Sequence, residues 1–196
     1  MIDLRETDAH QLLESLRTEG KKFDIVFVDA DKKTYRSYVL SLIGALDSNV
    51  SLASEGKNGN VVQIQRSRCL LNDGAVIILD NTLWKGLVLA HDNDLAKYAP
   101  RPEEYGKPER MKNMAKIMHD FNQFLVNASF EVVTGEESWL DGVDDVLSHA
   151  TEKFKENEGF VTMTAETALK TKKQAFLQVA LLPLRDGLTV VQLKYI

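Results

Sequence analysis

Five polar residues in two short groups have the types and spacing to do chemistry. Asp29 and Asp31 close the apolar run Phe23-Asp24-Ile25-Val26-Phe27-Val28, with Lys32 immediately after, and Asp80-Asn81 close Ala75-Val76-Ile77-Ile78-Leu79. Carboxylates and an amide oxygen are hard donors, suited to Mg²⁺, Ca²⁺ or Mn²⁺ rather than Zn²⁺. Lys32 adds a cation that burial can turn into a base. Each group also has a reading without chemistry, since Asp29 or Asp31 can cap a following helix and Asp80-Asn81 can make a turn. Two such ends in one chain, the second followed by Thr82-Leu83-Trp84-Lys85-Gly86, favour a site.

The elements that must position these residues are legible from periodicity. Short β-branched runs stopping on carboxylates read as strands buried on both faces, and ligands of open α/β sheets bind at the carboxyl ends of such strands. Asp8 and Gln11 open a helix with Ala9, Leu12, Leu13 and Leu16 on one face, and Gly20 ends it. A second helix is expected over residues 32–46, with Tyr35, Tyr38, Val39, Leu42, Ile43 and Leu46 on its apolar side. Strand, helix, strand, helix is the order of a parallel, doubly wound sheet. Residues 2–6 read as a short strand, and Asn72-Asp73-Gly74 as a tight turn into strand 75–79. A helix begins near Glu109, with Met111, Met114, Ala115, Met118, Phe121 and Leu125 forming a core stripe. Residues 129–134, 176–182 and 188–193 read as strands, the last two joined by the hairpin Pro183-Leu184-Arg185-Asp186-Gly187.

Val28-Asp29-Ala30-Asp31-Lys32, with Tyr35 and Tyr38 beyond it, resembles a signature of the cation-dependent O-methyltransferases that act on caffeoyl-coenzyme A and catechols. Asp80-Asn81-Thr82-Leu83-Trp84 with Gly86 resembles the family's second signature, and Leu182-Pro183 with Asp186-Gly187-Leu188-Thr189 its closing hairpin. The resemblance implies a Rossmann-like, S-adenosylmethionine-dependent methyltransferase sheet in strand order 3-2-1-4-5-7-6. It further implies that Asp29, Asp80 and Asn81 hold a divalent cation, that Asp31 helps hold S-adenosylmethionine, and that Lys32 is the base. Asp29, Trp84 and Lys85 would face a small aromatic hydroxyl substrate, although plant members often carry Asn at the place of Lys85. The family's plant members pair as dimers, so a homodimer is the expectation by analogy. The family's glycine-rich first turn and the acidic end of its second strand belong upstream of Ile2. The expectation is therefore an N-terminally truncated domain, beginning at the third strand of seven, with an open edge along strand 24–29.

The chain has 196 residues, 44% of them hydrophobic, the size of one domain with a sizeable core. A net charge of −5 argues against a general nucleic-acid or anionic-membrane binder, and no apolar run is long enough to span a bilayer. The single Cys69 cannot form an intrachain disulfide, so a reducing, cytoplasmic home is expected. Two polar stretches, 47–66 and 135–173, read as loop insertions in one partial methyltransferase domain. His91-Asp92-Asn93-Asp94 and Asp141, Asp144 and Asp145 hold potential ligands but read better as solvated loops.

Methyl transfer to one hydroxyl of a catechol-like or caffeoyl-type acceptor is the first functional reading, with this fragment expected to be inactive alone. A Mg²⁺-dependent phosphatase of the haloacid-dehalogenase type would also use two aspartates at a strand end, but Lys33 stands where such enzymes want Thr or Val, and Asp80-Asn81-Thr82-Leu83-Trp84 is left unexplained. A third reading is a non-catalytic, partner-binding relative.

Overall fold

A computed structural model describes residues 2–46, 61–133 and 173–195. They form one six-stranded mixed sheet with helices packed on it. The strands are β1 (Phe23–Val28), β2 (Val62–Ile64), β3 (Leu71–Asp80), β4 (Ser129–Val132), β5 (Lys173–Leu182) and β6 (Leu188–Tyr195). Their order across the sheet is β1-β3-β6-β5-β4-β2. β1 runs parallel to β3, and β2 parallel to β4. The junctions β3–β6, β6–β5 and β5–β4 are antiparallel, so the expected α/β sheet is present but not uniformly parallel. The short link 183–187 accounts for the β6–β5 junction, because two strands joined so closely can only pair antiparallel. The run β1-β3-β6-β5 has the 4-5-7-6 order implied for the last four strands. β5, not β4, is therefore the neighbour of the closing strand.

Helix α1 (Ala9–Thr18) begins where the Asp8 side chain accepts from the His10 and Gln11 backbone N–H groups. Its Leu13 and Leu16 pack against the core. The Arg17 guanidinium reaches two carbonyls, Arg68 O and Ser41 O, each at 2.9 Å, and so ties α1 to the segments beside β3 and α2. Helix α2 (Tyr35–Leu42) follows a 3-10 turn at Lys32–Thr34 and ends earlier than its apolar spacing suggests. Gly44 is the reason: it adopts φ +82°, and a Cβ there would lie 2.6 Å from both Cys69 N and Gln65 O. Helix α3 (Pro108–Asn127) starts on proline, where the missing N–H costs nothing, and buries all six residues of the expected methionine-rich stripe. Tyr35, Leu40, Ile77, Leu79, Met118 and Leu125 lie in the main core between α2, α3 and the sheet.

Three local expectations are corrected. Residues 2–6 form no strand: among the described residues they meet no ladder partner, and Arg5 instead pairs with Glu19 at 2.6 Å. Residues 62–64 of the first expected insertion are not loop, because Val62 and Ile64 alternate inward, are buried, and pair with Phe130 and Val132 of β4. Residues 47–60 of the same insertion lie outside the described residues, as do 134–172 with Asp141, Asp144 and Asp145. Asn72–Gly74 is not a tight turn into a strand but a bulge within β3, opposite Asp24, where the register passes from Phe23–Leu71 to Ile25–Val76. Gly74 supplies φ +83° for the bulge, Asn72 Nδ2 donates to Asp24 Oδ1 at 2.9 Å, and Gln192 Nε2 donates to Gly74 O at 2.6 Å. β1 is an edge strand of the described sheet, with Ile25 64% and Phe27 60% exposed.

Candidate active site

The ends of β1 and β3 lie side by side. Val28 pairs with Leu79 in the parallel register, so the next residues lie at the same end of the sheet: Asp29 just past β1, and Asp80 as the last residue of β3. Tyr35 fastens the two ends together. Its hydroxyl lies 3.0 Å from Val28 O and 3.1 Å from Asp80 O, the carbonyls of neighbouring strands, and its single proton serves these acceptors. The ring stands edge-on to Phe121 of α3, with centroids 5.7 Å apart.

Lys32 lies inside this frame, 8% exposed. Its Nζ donates to Asp29 Oδ1 at 2.7 Å and to the Tyr35 hydroxyl at 2.8 Å. Burial alone pulls the ammonium pKa down, but the hydrogen bonds and charges of Asp29 and Tyr35 more than reverse it, and the net direction is up. The sequence suggested that burial would favour a neutral amine; the carboxylate beside it decides otherwise. Burial raises the Tyr35 phenol as well, with Lys32 acting partly against it. Tyr35 therefore stays a neutral hydroxyl, able to accept from Lys32 while donating to a carbonyl.

Asp29 is more open, its side chain 55% exposed. Asp80 is half-buried, and its Oδ1 accepts from the Asn81 backbone N–H at 2.7 Å. This contact accompanies a left-handed Asn81, at φ 58°, a conformation that asparagine tolerates better than most residues. Asp29, Asp80 and Asn81 thus follow two adjacent strand ends with two carboxylates and an amide. Asp31 is placed differently. Its carboxylate caps the 3-10 turn by accepting from Lys33 N at 3.3 Å, as in the reading without chemistry, and it remains exposed. Among the described residues no group of three His, Cys, Asp or Glu side chains is placed to hold a metal, so Asn81 would be needed to complete the set. Asp92, in the other stretch with potential ligands, accepts from Asp94 N and Leu95 N in a local turn.

The stretch after Asn81 is held from behind by the closing hairpin. Thr82 N donates to Gly187 O at 3.1 Å, and Leu83 N to Asp186 O at 2.8 Å. Thr189 Oγ1 donates to Thr82 Oγ1 at 2.7 Å, a hydroxyl pair buried between residues far apart in the chain. Trp84, Lys85 and Gly86 then take positive φ values of 45°, 59° and 78°, which turns the chain sharply away from the strand. Trp84 is half-buried and packs against both the main core and the smaller cluster of Leu87, Met111 and Ala115. Lys85 is exposed, 3.7 Å from Asp186 and over the ring of Tyr105.

Asp29, Lys32, Asp80 and Asn81 are therefore gathered at the carboxyl ends of β1 and β3, Trp84 follows through a short turn, and Asp31 and Lys85 are exposed. Tyr35 and Asp186–Thr189 stand in the signatures read from sequence, but neither the clamping role of the Tyr35 hydroxyl nor the bracing of Thr82 and Leu83 by the hairpin was legible there. Tyr35 stood in the apolar stripe of its helix, although one turn beyond Lys32 it carries a hydroxyl that a buried position must satisfy.

An O-methyltransferase family model matches residues 1–53. A caffeoyl-CoA O-methyltransferase 1 of Eucalyptus globulus is 36% identical over 100 residues, which is 50% of this chain and 30% of that protein. A caffeoyl-CoA O-methyltransferase of Populus kitakamiensis is 26% identical over 144 residues, 72% of this chain and 46% of that one. The chain thus spans less than half the length of these relatives. A solved structure of the SAH-bound Podospora anserina methyltransferase PaMTH1 aligns over 93% of this chain and 46% of its own, at 18% identity and a TM-score of 0.39. Residues 1–53 thus resemble the O-methyltransferase family, and half or more of the chain is similar to caffeoyl-CoA O-methyltransferases.

Proposed function

We propose that the chain supplies the metal- and acceptor-binding part of a divalent-cation-dependent O-methyltransferase acting on a catechol-like or caffeoyl-type hydroxyl. The observation that carries this reading is the placement of Asp29 and Asp80–Asn81 on two adjacent parallel strand ends, with Lys32 buried against Asp29. The donor set fits a hard cation: two carboxylates and an amide oxygen, with Asp29 largely exposed. A cation held there would lower the pKa of an acceptor hydroxyl. S-adenosylmethionine would supply the methyl group, with Asp31, exposed beside the site, as a contact for it.

The chain's own residues would do the rest. Asp29, Asp80 and Asn81 would fix the acceptor side of the site, and Trp84 and Lys85 would border the acceptor. Lys32 would take the proton of the attacked hydroxyl at Nζ. As it stands Lys32 is an ammonium held by Asp29, so it becomes a base only after giving one proton to solvent and loosening that contact. The substrate reading is that of a small aromatic hydroxyl compound, by similarity to the relatives.

Titration calorimetry of the full chain with Mg²⁺ and Ca²⁺ tests the site without requiring turnover. Binding in the parent that is lost in Asp80→Ala is expected, because removing one of two anions weakens an electrostatically held ion sharply. Equal binding in the two proteins would place the cation elsewhere.

A further inference from the structure

We propose that Tyr35 is the positioning residue for Lys32: its hydroxyl clamps the ends of β1 and β3 and anchors Nζ beside Asp29. The inference rests on the reading of Lys32 as a site residue, but its geometry stands apart from any metal or methyl donor.

Packing alone does not call for a tyrosine here. Tyr35 is 0% exposed and its ring rests on Phe121, a role phenylalanine could fill without bringing a hydroxyl into the core. A buried hydroxyl is costly unless it is hydrogen-bonded, and this one is bonded on both sides. It accepts from Lys32 Nζ at 2.8 Å and faces Val28 O at 3.0 Å and Asp80 O at 3.1 Å. Both carbonyls belong to the last residues of their strands, immediately before or at the proposed ligands.

Lysine is among the side chains with most rotamer freedom to lose on ordering. Asp29 by itself is a weak tether, since its side chain is more than half exposed and an ion pair to such a group is screened by water. The buried Tyr35 hydroxyl is the fixed point. It holds Nζ over the strand ends instead of letting the side chain extend into solvent, and the same oxygen keeps those ends in register.

Site-resolved acylation with an N-hydroxysuccinimide ester, in chelator, tests this on the full chain. Exposed Lys33, the next residue, is the internal reference. Lys32 should react about tenfold more slowly than Lys33 in the parent, in keeping with a hydrogen bond to a charged group. Tyr35→Phe should remove most of that protection. Val39→Ala, which empties part of the same core without touching the hydroxyl, serves as the control for general loosening and should retain it. Equal rates for Lys32 and Lys33 in the parent, or equal protection in Tyr35→Phe and Val39→Ala, would overturn the proposal. Should Tyr35→Phe not fold, Asp29→Asn decides: protection that survives leaves Tyr35 as the anchor, and protection that vanishes assigns the anchoring to Asp29. None of these outcomes depends on whether Asp80→Ala abolishes cation binding, so this proposal and the proposed function can fail separately.

Discussion

Gly187 presses directly on Leu83. A Cβ added at Gly187 would lie 2.5 Å from Leu83 Cγ and 2.6 Å from Leu83 N, and the residue sits at φ +89°. The closing hairpin therefore meets the turn after Asp80–Asn81 backbone to backbone, and the hydrogen bonds from Thr82 N and Leu83 N depend on that approach. A glycine in a distant hairpin thus sets the position of the site's second strand end.

Gly187→Ala should destabilise the chain by about 3 kcal/mol, combining left-handed strain with overpacking. Gly20→Ala is the comparison, since Gly20, just past the end of α1, has φ +66° but nothing within 4 Å, and only the backbone strain of about 1–2 kcal/mol should appear. Urea unfolding of both variants measures the difference; equal losses would show that the hairpin can retreat from Leu83.

The buried hydroxyl pair gives a second measurement. Thr189→Val leaves the buried Thr82 hydroxyl without the hydrogen bond from Thr189, at a cost of about 1–3 kcal/mol. Thr82→Val/Thr189→Val, which removes both hydroxyls at nearly constant volume, should be more stable than the sum of the single changes predicts. Strict additivity in denaturant unfolding would mean that the two hydroxyls do not act together.

Alkaline pH separates Lys32 from the other cations. Its folded-state pKa is raised above the ordinary 10.5, so its stabilising contribution is fully present below that value and lost as pH rises through the folded-state value. Thermal midpoints of the metal-free parent should therefore fall more steeply above pH 10.5 than those of Lys32→Met, which has no proton to lose there. Curves that run parallel through this range would show that Asp29 and Tyr35 do not favour the charged amine.

β2 offers a test of where the core ends. Ile64 is fully buried, and Ile64→Ala should cost about 2–5 kcal/mol. Exposed Val61→Ala, next to the strand, should cost much less. A loss at Ile64 as small as that at Val61 would return residues 62–64 to the loop expected from composition.

The strand ends at Asp29 and Asp80, the methionine-rich helix and the closing hairpin were all legible in the sequence. Each is written in local chemistry: apolar runs that stop on carboxylates, a helical repeat behind a proline, and a turn between two apolar stretches. Local patterns fail where a residue's state depends on partners distant in the chain. Polar neighbours made Val62–Ile64 look like loop, yet the ladder with β4 makes them core. Residues 2–6 have strand-like composition but no ladder to join. The spacing of Lys32 and Asp29 was visible, but the direction of the lysine's pKa was not, because burial and ion pairing oppose each other and only their distances decide which prevails. Tyr35 could be read as core from its spacing in α2, but its hydroxyl acquired a role only when folding brought Val28, Lys32 and Asp80 to it. Hydrophobic periodicity determines which residues go inside; the packing of strand ends from separate parts of the chain determines which polar atoms meet there.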